Sequence, residues 1–261
     1  MLIREALTGS HPQERLDILS HLIGYDKAWL LAHPETELPE NIIKEYAMKL
    51  EQLKDNFPLA YILGSWTFHN HEFKINRHVL IPRPETELLV TEALKIINEH
   101  NLSSFSELGT GSGCVTISLL LERPNLIAYA VDINNTILHI AKENANRYKV
   151  RKQITFHKGN LIKPLQSLPP LIIANLPYLT YKEHKSNTLL HQEPKTAFIT
   201  KDGMEIFIRL KKQLEQKRFQ GWLLLEIDPR RSEQLKKLFG REHTEVVKDQ
   251  NNWDRVLKIK I

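Results

Sequence analysis

The chain has 261 residues, enough for one large domain or two modest ones at roughly 150 residues per domain. Hydrophobic residues make up 41% and charged residues 26%, an ordinary globular balance, and the formal charge of +5 suits an anionic partner without requiring one. A single cysteine excludes an intramolecular disulfide, and no apolar run reaches the roughly 18 residues that span a bilayer, so no membrane association and a reducing, cytoplasmic setting are expected.

The N-terminus, Met1-Leu2-Ile3-Arg4-Glu5, is charged at once and has no signal-peptide core. Residues 1–57 read as a small helical domain. Ser10 with Pro12, Gln13 and Glu14 reads as a cap and first turn. Leu16, Leu19 and Ile23, then Trp29, Leu30 and Leu31, give apolar stripes with a break at Gly24, and Pro34 closes the segment. A second start at Pro39-Glu40-Asn41 leads into Ile42, Ile43, Tyr46, Ala47, Leu50 and Leu53 at helical spacing. Such a bundle carries no chemistry of its own; recognition or packing is its expected role.

Residues 58–84 read as a β-hairpin linker. Trp66, Phe68, Phe73, Ile75, Val79 and Ile81 alternate with polar residues, and Asn70-His71 and Asn76-Arg77 are the turn candidates. His69 and His71 could share a strand face. No further ligand stands at a metal spacing, so they read as exposed hairpin histidines and no metal is expected.

Residues 85–261 form the third segment. Glu85 and Glu87 complement the positive end of a helix carrying Leu88, Leu89, Ala93, Leu94 and Ile97. Strands are expected at 104–108, 126–131, 154–157, 171–175, 222–227, 244–248 and 255–260, with helices at 113–122, 135–148, 203–218 and 230–239. The connection between the last two strands, Asp249 to Asp254, is too short for a parallel crossover, so that pair should be antiparallel. The expected fold is α/β: a mostly parallel Rossmann-like sheet with an antiparallel last strand, joined through the hairpin to the helical domain.

Two strand ends carry chemistry. Glu107-Leu108-Gly109-Thr110-Gly111-Ser112-Gly113 follows a strand and opens a helix, and Asp132 ends the next strand 19 residues past Gly113. A carboxylate at about that distance, roughly 20 residues, accepts hydrogen bonds from a ribose diol. A dinucleotide fingerprint needs a further glycine at 114 or 116, where Cys114 and Thr116 stand. The loop reads G-x-G-x-G, and Glu107 suits the cationic end of S-adenosylmethionine better than a pyrophosphate. Cys114 fits either a small buried side chain or a reactive thiol.

The second strand end is Ile172-Ile173-Ala174-Asn175-Leu176-Pro177-Tyr178. Pro177 has no N–H for a ladder, so the strand stops and holds an amide and an aromatic ring at its carboxyl edge. An amide nitrogen is a poor nucleophile because its lone pair is delocalised. Asn175 Oδ1 and the carbonyl of Leu176 could each accept one N–H of a planar NH₂ group, with the Tyr178 ring packed on it. Asn-x-Pro-Tyr at a strand end is the signature of methyltransferases acting on planar nitrogens.

These stretches together resemble the HemK/PrmC family, which methylates the glutamine amide in the Gly-Gly-Gln loop of peptide chain release factors. The resemblance includes Pro58 to Gly64, Ile81 to Glu87, Glu107 to Gly113, Asp132, Asn175 to Tyr178, Glu193-Pro194 with Ala197, Asp202-Gly203-Met204 and Leu223 to Ile227. It implies a class I methyltransferase with S-adenosylmethionine as donor and S-adenosylhomocysteine as product. By resemblance, Glu107, Gly109, Thr110, Gly111, Ser112, Gly113, Asp132, Asn160, Leu161 and Asn175 hold the cofactor. Asn175, Leu176, Pro177 and Tyr178 hold the substrate glutamine, and residues 1–57 recognise the release factor. The enzyme is expected to act as a monomer without direct nucleic-acid binding.

Four positions depart from the family pattern: Leu176 for a proline, Glu107 and Asn160 for aspartates, and Asp228-Pro229 for a glycine. Asn-Leu-Pro-Tyr is also the motif of rRNA adenine dimethyltransferases. The alternatives are therefore methylation of a ribosomal-protein glutamine or of an rRNA or DNA adenine, or a non-catalytic binding protein of the same fold.

Overall fold

The computed structural model describes residues 1–54, 57–186 and 190–261 and divides into two compact units, Met1–Ser65 and Trp66–Ile261. The first unit is helical: α1 (Ile3–Ala6), α2 (Pro12–Ile23), α3 (Lys27–Ala32), α4 (Glu40–Lys54) and α5 (Leu59–Leu63). Its core gathers Ile3, Leu16, Ile18, Leu19, Leu30, Leu38, Tyr46 and Leu53. Gly24 ends α2 in the left-handed conformation, which a glycine takes without the Cβ penalty. Three local expectations are corrected. His11, not Ser10, caps α2, with Pro12 at the first helical position where a missing N–H costs nothing. Leu31 lies outside the stripe and is 62% exposed. Pro58 to Gly64 forms α5 with its glycine cap and belongs to the helical unit, not to the hairpin.

The hairpin is short: β1 (Ser65–Phe68) and β2 (His71–Lys74). Its turn is His69-Asn70, one residue earlier than expected, with both residues at positive φ as a two-residue primed turn demands. The two histidines are half-buried and do not share a face. The His69 N–H donates to Glu87 Oε1 at 2.8 Å, which ties the turn to the start of α6 (Glu87–His100).

The second unit holds a seven-stranded sheet: β3 (Ser104–Leu108), β4 (Ile127–Asp132), β5 (Ile154–Lys158), β6 (Leu171–Ala174), β7 (Trp222–Glu226), β8 (Thr244–Lys248) and β9 (Asp254–Lys260). The strand order is β5-β4-β3-β6-β7-β9-β8, parallel throughout except for the pairings of β9 with β7 and with β8. The helices α7 (Cys114–Glu122), α8 (Asn135–Arg147), α9 (Tyr181–Ser186), α10 (Glu205–Gln216) and α11 (Ser232–Phe239) accompany the sheet. Of these, α9 has no counterpart in the expected elements. Two apolar cores form, one including α6, α7 and strand residues such as Phe105, Ala128 and Ile173, the other including α10, α11, Ile172 and Leu225. Leu171 to Ala174 is buried along its whole length, as a central parallel strand should be.

The strand order reverses between β3 and β6. Leu108 pairs with Ala174, so Gly109 and Asn175 leave the sheet side by side. That crevice, beyond the carboxyl ends of the strands, is where open α/β sheets bind ligands. Among the described residues, no helix is long and apolar enough to cross a membrane.

Candidate active site

A cavity of about 620 Å³ opens at this switch point. Its wall includes Gly109 and Gly111 from the loop after β3, Asp132 and Ile133 after β4, Asn160 and Leu161 after β5, and Asn175, Leu176 and Pro177 after β6. Four strand ends therefore converge on one space.

Gly109, Gly111 and Gly113 all have positive φ, at 72°, 56° and 81°. At Gly111 the absence of a side chain matters twice: its φ of 56° is one a glycine takes without the Cβ penalty, and a Cβ there would project into open space, with no protein atom within 4 Å. The loop is anchored from below. Its first glycine donates N–H to the carbonyl of Val131 at 2.8 Å. Asp132 is buried; its Oδ2 accepts from the Gly111 N–H at 3.1 Å and its Oδ1 from the Asn134 N–H at 3.3 Å. These two bonds leave further lone pairs on the carboxylate at the cavity wall. Burial raises its pKa, against the pull of the backbone donors.

Glu107 has a different place from the one its residue type suggested. Its side chain is buried beneath the loop and does not line the cavity. Oε2 accepts from the Thr110 hydroxyl at 2.8 Å, from the Thr116 N–H at 3.2 Å and from the Thr116 hydroxyl. Burial pushes its carboxyl up to about 7, with those donors opposing and the Asp132 charge adding to the rise. Glu107 is thus the brace that clips the loop to the first turn of α7. Thr110, Ser112 and Gly113 also lie outside the cavity wall. Cys114 is buried and free, and burial pushes its thiol up to about 12, which leaves it inert at neutral pH.

Asn175 stands at the junction of two cavities. It lines the large one and also a small one of about 60 Å³ with Leu80, Arg83, Tyr178, Leu179, Ala197, Phe198 and Glu226. Its Nδ2 donates to Glu226 Oε2 at 2.9 Å and to Thr86 Oγ1 at 3.2 Å. Both amide hydrogens are thereby used, and among the described residues no donor meets Oδ1. Leu176 is buried in the core with Leu108 and Leu161, so the residue that departs from proline is held by packing instead of by a ring. Tyr178 faces the small cavity; burial, then the nearby Glu226 and Asp228 carboxylates, raise its pKa, so it stays a neutral phenol. Arg83, from the proline-rich stretch, pairs with buried Glu193, whose Oε2 also accepts from the Ile81 N–H at 3.2 Å. Thr86, Glu193 and Glu226 were legible only as members of stretches, without roles.

Residues 3–64 match the PrmC N-terminal domain, and residues 85–225, more than half of the chain, match the Methyltransferase small domain. The release factor glutamine methyltransferase of Aquifex aeolicus is 30% identical over 98% of this chain and 94% of its own length. That of Bacillus cereus is 31% identical over 92% of this chain and 89% of its own length. The chain belongs to the release factor glutamine methyltransferase family. As a member it is a methyltransferase with S-adenosylmethionine as the methyl donor. Among solved structures, the hMettl16 catalytic domain in complex with an RNA hairpin shares the fold at 16% identity and a TM-score of 0.58, covering 83% of this chain and 81% of that one. The ribosomal protein L11 methylase from Lactobacillus delbrueckii shares it at 18% identity and 0.50, covering 75% and 89%.

The cavity fits that donor. The bare backbone at Gly111 admits close approach, and a buried carboxylate at Asp132 has lone pairs to spare for a diol. Ile133, 61% exposed, together with Ile137 and Leu161 offers apolar surface for a flat base. Among the described residues no His, Cys, Asp or Glu cluster could hold a metal.

Proposed function

We propose that the chain transfers a methyl group to the side-chain amide nitrogen of the glutamine in the Gly-Gly-Gln loop of a peptide chain release factor. The single observation that carries this reading is the orientation of Asn175, whose amide hydrogens are engaged by Glu226 and Thr86 while no donor among the described residues meets Oδ1. The relatives named release factor glutamine methyltransferase support the choice of substrate.

Bound S-adenosylmethionine supplies an electrophilic methyl carbon on a positively charged sulfur. Gly109, Gly111, Asp132, Asn160 and Leu161 hold it in the large cavity, with Glu107, Thr110, Ser112 and Gly113 shaping the loop from behind. Asn175 Oδ1 accepts one N–H of the substrate amide and the carbonyl of Leu176 accepts the other. Those two bonds fix the plane of the NH₂ group and raise electron density on nitrogen, and Tyr178 packs on the flat amide. Positioning supplies most of the acceleration, because a weak nucleophile gains chiefly from being held in line. The N–C bond forms as the C–S bond breaks, its electron pair stays on sulfur, and the proton on nitrogen leaves to water.

In this reading the helical unit docks the release factor, with the match to the PrmC N-terminal domain as support. In this reading the enzyme acts as a monomer, and the reaction takes place in the cytoplasm with translation termination. The test offers labelled S-adenosylmethionine with purified release factor, its loop Gln→Ala variant and rRNA side by side. Label on the release factor and none on the loop variant is expected; label on rRNA alone overturns the reading.

A further inference from the structure

We infer that Glu226, with Thr86, is a positioning residue that sets which end of the Asn175 amide faces the substrate. This deepens the proposed function and rests on it, since it presumes that Asn175 receives an N–H from the substrate.

An asparagine amide is nearly symmetrical in shape, and only its neighbours decide whether oxygen or nitrogen points into a site. Asn175 directly follows β6 and Glu226 ends β7, and these strands pair in parallel from Leu171–Trp222 to Ala174–Leu225. The next residue on each strand is therefore brought level with its partner. Glu226 is buried, and burial pushes its carboxyl up to about 7; in its ionised form it can only accept, and its Oε2 takes an N–H from the nitrogen of Asn175 at 2.9 Å. Thr86, at the end of the 3₁₀ turn Pro84–Thr86, takes the second hydrogen at 3.2 Å while its own hydroxyl hydrogen turns to Glu226. The three side chains close a triangle with one polarity. With Nδ2 fully used, Oδ1 is the only atom of the amide left for a ligand. Substrate recognition thus depends on a carboxylate 51 residues away along the chain.

The reversed arrangement tests this. Glu226→Gln puts an amide against an amide, and the pair no longer has a preferred sense. Asn175→Asp alone sets two carboxylates against each other. In the double variant, the amide at 226 donates to one oxygen of the carboxylate at 175, and the other oxygen again faces the cavity as an acceptor. Methyl transfer from S-adenosylmethionine to purified release factor is measured for the wild type and the three variants. Glu226→Gln should lower kcat at least five-fold with KM for S-adenosylmethionine within two-fold, and the double variant should turn over faster than Asn175→Asp. A smaller loss in Glu226→Gln, a KM shift beyond two-fold, or a double variant no faster than Asn175→Asp overturns the inference. Should Glu226→Gln fail to fold, Thr86→Val decides: a kcat loss of two-fold or more upholds the triangle and an unchanged kcat refutes it. Wild-type transfer to the release factor tests the proposed function, and the ratios between variants test Glu226, so the two failures are distinct.

Discussion

Gly109 and Asn175 touch across the switch point. A Cβ built on Gly109 would lie 3.3 Å from the backbone carbonyl oxygen of Asn175 and 3.5 Å from Leu176 Cδ2. The glycine loop after β3 and the Asn175-Leu176 stretch after β6 are thus one packed object, with no room between them for a methyl group on Gly109 without displacement.

Gly109→Ala should therefore act on both sides. The residue has φ 72°, and a left-handed alanine costs about 1–2 kcal/mol. The added methyl also presses on Asn175. A lower Tm and a kcat reduced at least ten-fold are expected. Gly111→Ala, at φ 56° with open space around it, should carry a similar conformational cost but show its loss in affinity for S-adenosylmethionine. Thermal melts and calorimetry separate the two; equal loss of affinity in both would contradict the division.

Asn175→Ala removes the acceptor without touching the loop. Transfer should fall at least a hundred-fold while affinity for S-adenosylmethionine stays within about three-fold, since loss of orientation removes a large share of such an acceleration. Asp132→Ala should do the reverse and weaken S-adenosylmethionine ten-fold or more. Equilibrium dialysis with labelled donor, run beside turnover assays, gives both quantities.

The brace at Glu107 predicts a pH dependence of stability. Burial first, then the Asp132 charge, holds its carboxyl at about 7 against an ordinary value of 4.5. A raised folded-state pKa means that the folded chain binds this proton more tightly than the unfolded chain. The contribution is full below about 4.5 and lost as pH rises through about 7, amounting to about 3 kcal/mol at most. Glu107→Gln carries no proton to lose. The Tm of the variant minus that of the wild type should therefore climb between pH 5 and pH 8, whatever the offset caused by altered hydrogen bonding. A difference that stays flat across this range would refute the buried anion.

Arg231 fastens the stretch after Tyr178 to the rest of the second unit. Its guanidinium donates to Glu183 Oε2 at 2.8 Å, pairs with Asp228 Oδ2 at 3.5 Å, and lies against Gly203, where a Cβ would come 2.2 Å from Nε. The arginine is buried, and breaking a buried pair from one side costs about 3–5 kcal/mol. Part of Glu183 is solvated, which brings the expectation for Arg231→Ala to the lower end, about 3 kcal/mol. Limited proteolysis should show faster cleavage in residues 179–204 than in the wild type, and unchanged cleavage would argue against the fastening.

Much of this architecture was legible before the fold was seen, for identifiable reasons. The seven strands are short apolar runs bounded by turn residues, and the short connection from Asp249 to Asp254 left the last pair no choice but to be antiparallel. Gly109, Asp132 and Asn175 stood out because each ends a strand with a residue type that strands rarely favour. What stayed hidden is directional. An acid before a glycine loop looks the same in sequence whether it points at the ligand or beneath the loop, and Glu107 points beneath because Thr110 and Thr116 supply its donors. Glu226 was equally silent, since its partner comes from another strand and only the β6–β7 register brings them together. The half-buried histidines of the hairpin were missed because a one-residue shift of the turn changes which positions lie on a strand face.

The central claim is that the methyl group arrives on a glutamine amide nitrogen of a release factor. Peptide mapping by mass spectrometry, after incubating purified enzyme with S-adenosylmethionine and release factor, tests it most directly. The account predicts one added methyl on the Gly-Gly-Gln peptide, assigned by fragmentation to the glutamine side chain, and none with Asn175→Ala. An unmodified Gly-Gly-Gln peptide beside a methylated residue elsewhere, or methylated rRNA alone, would contradict it.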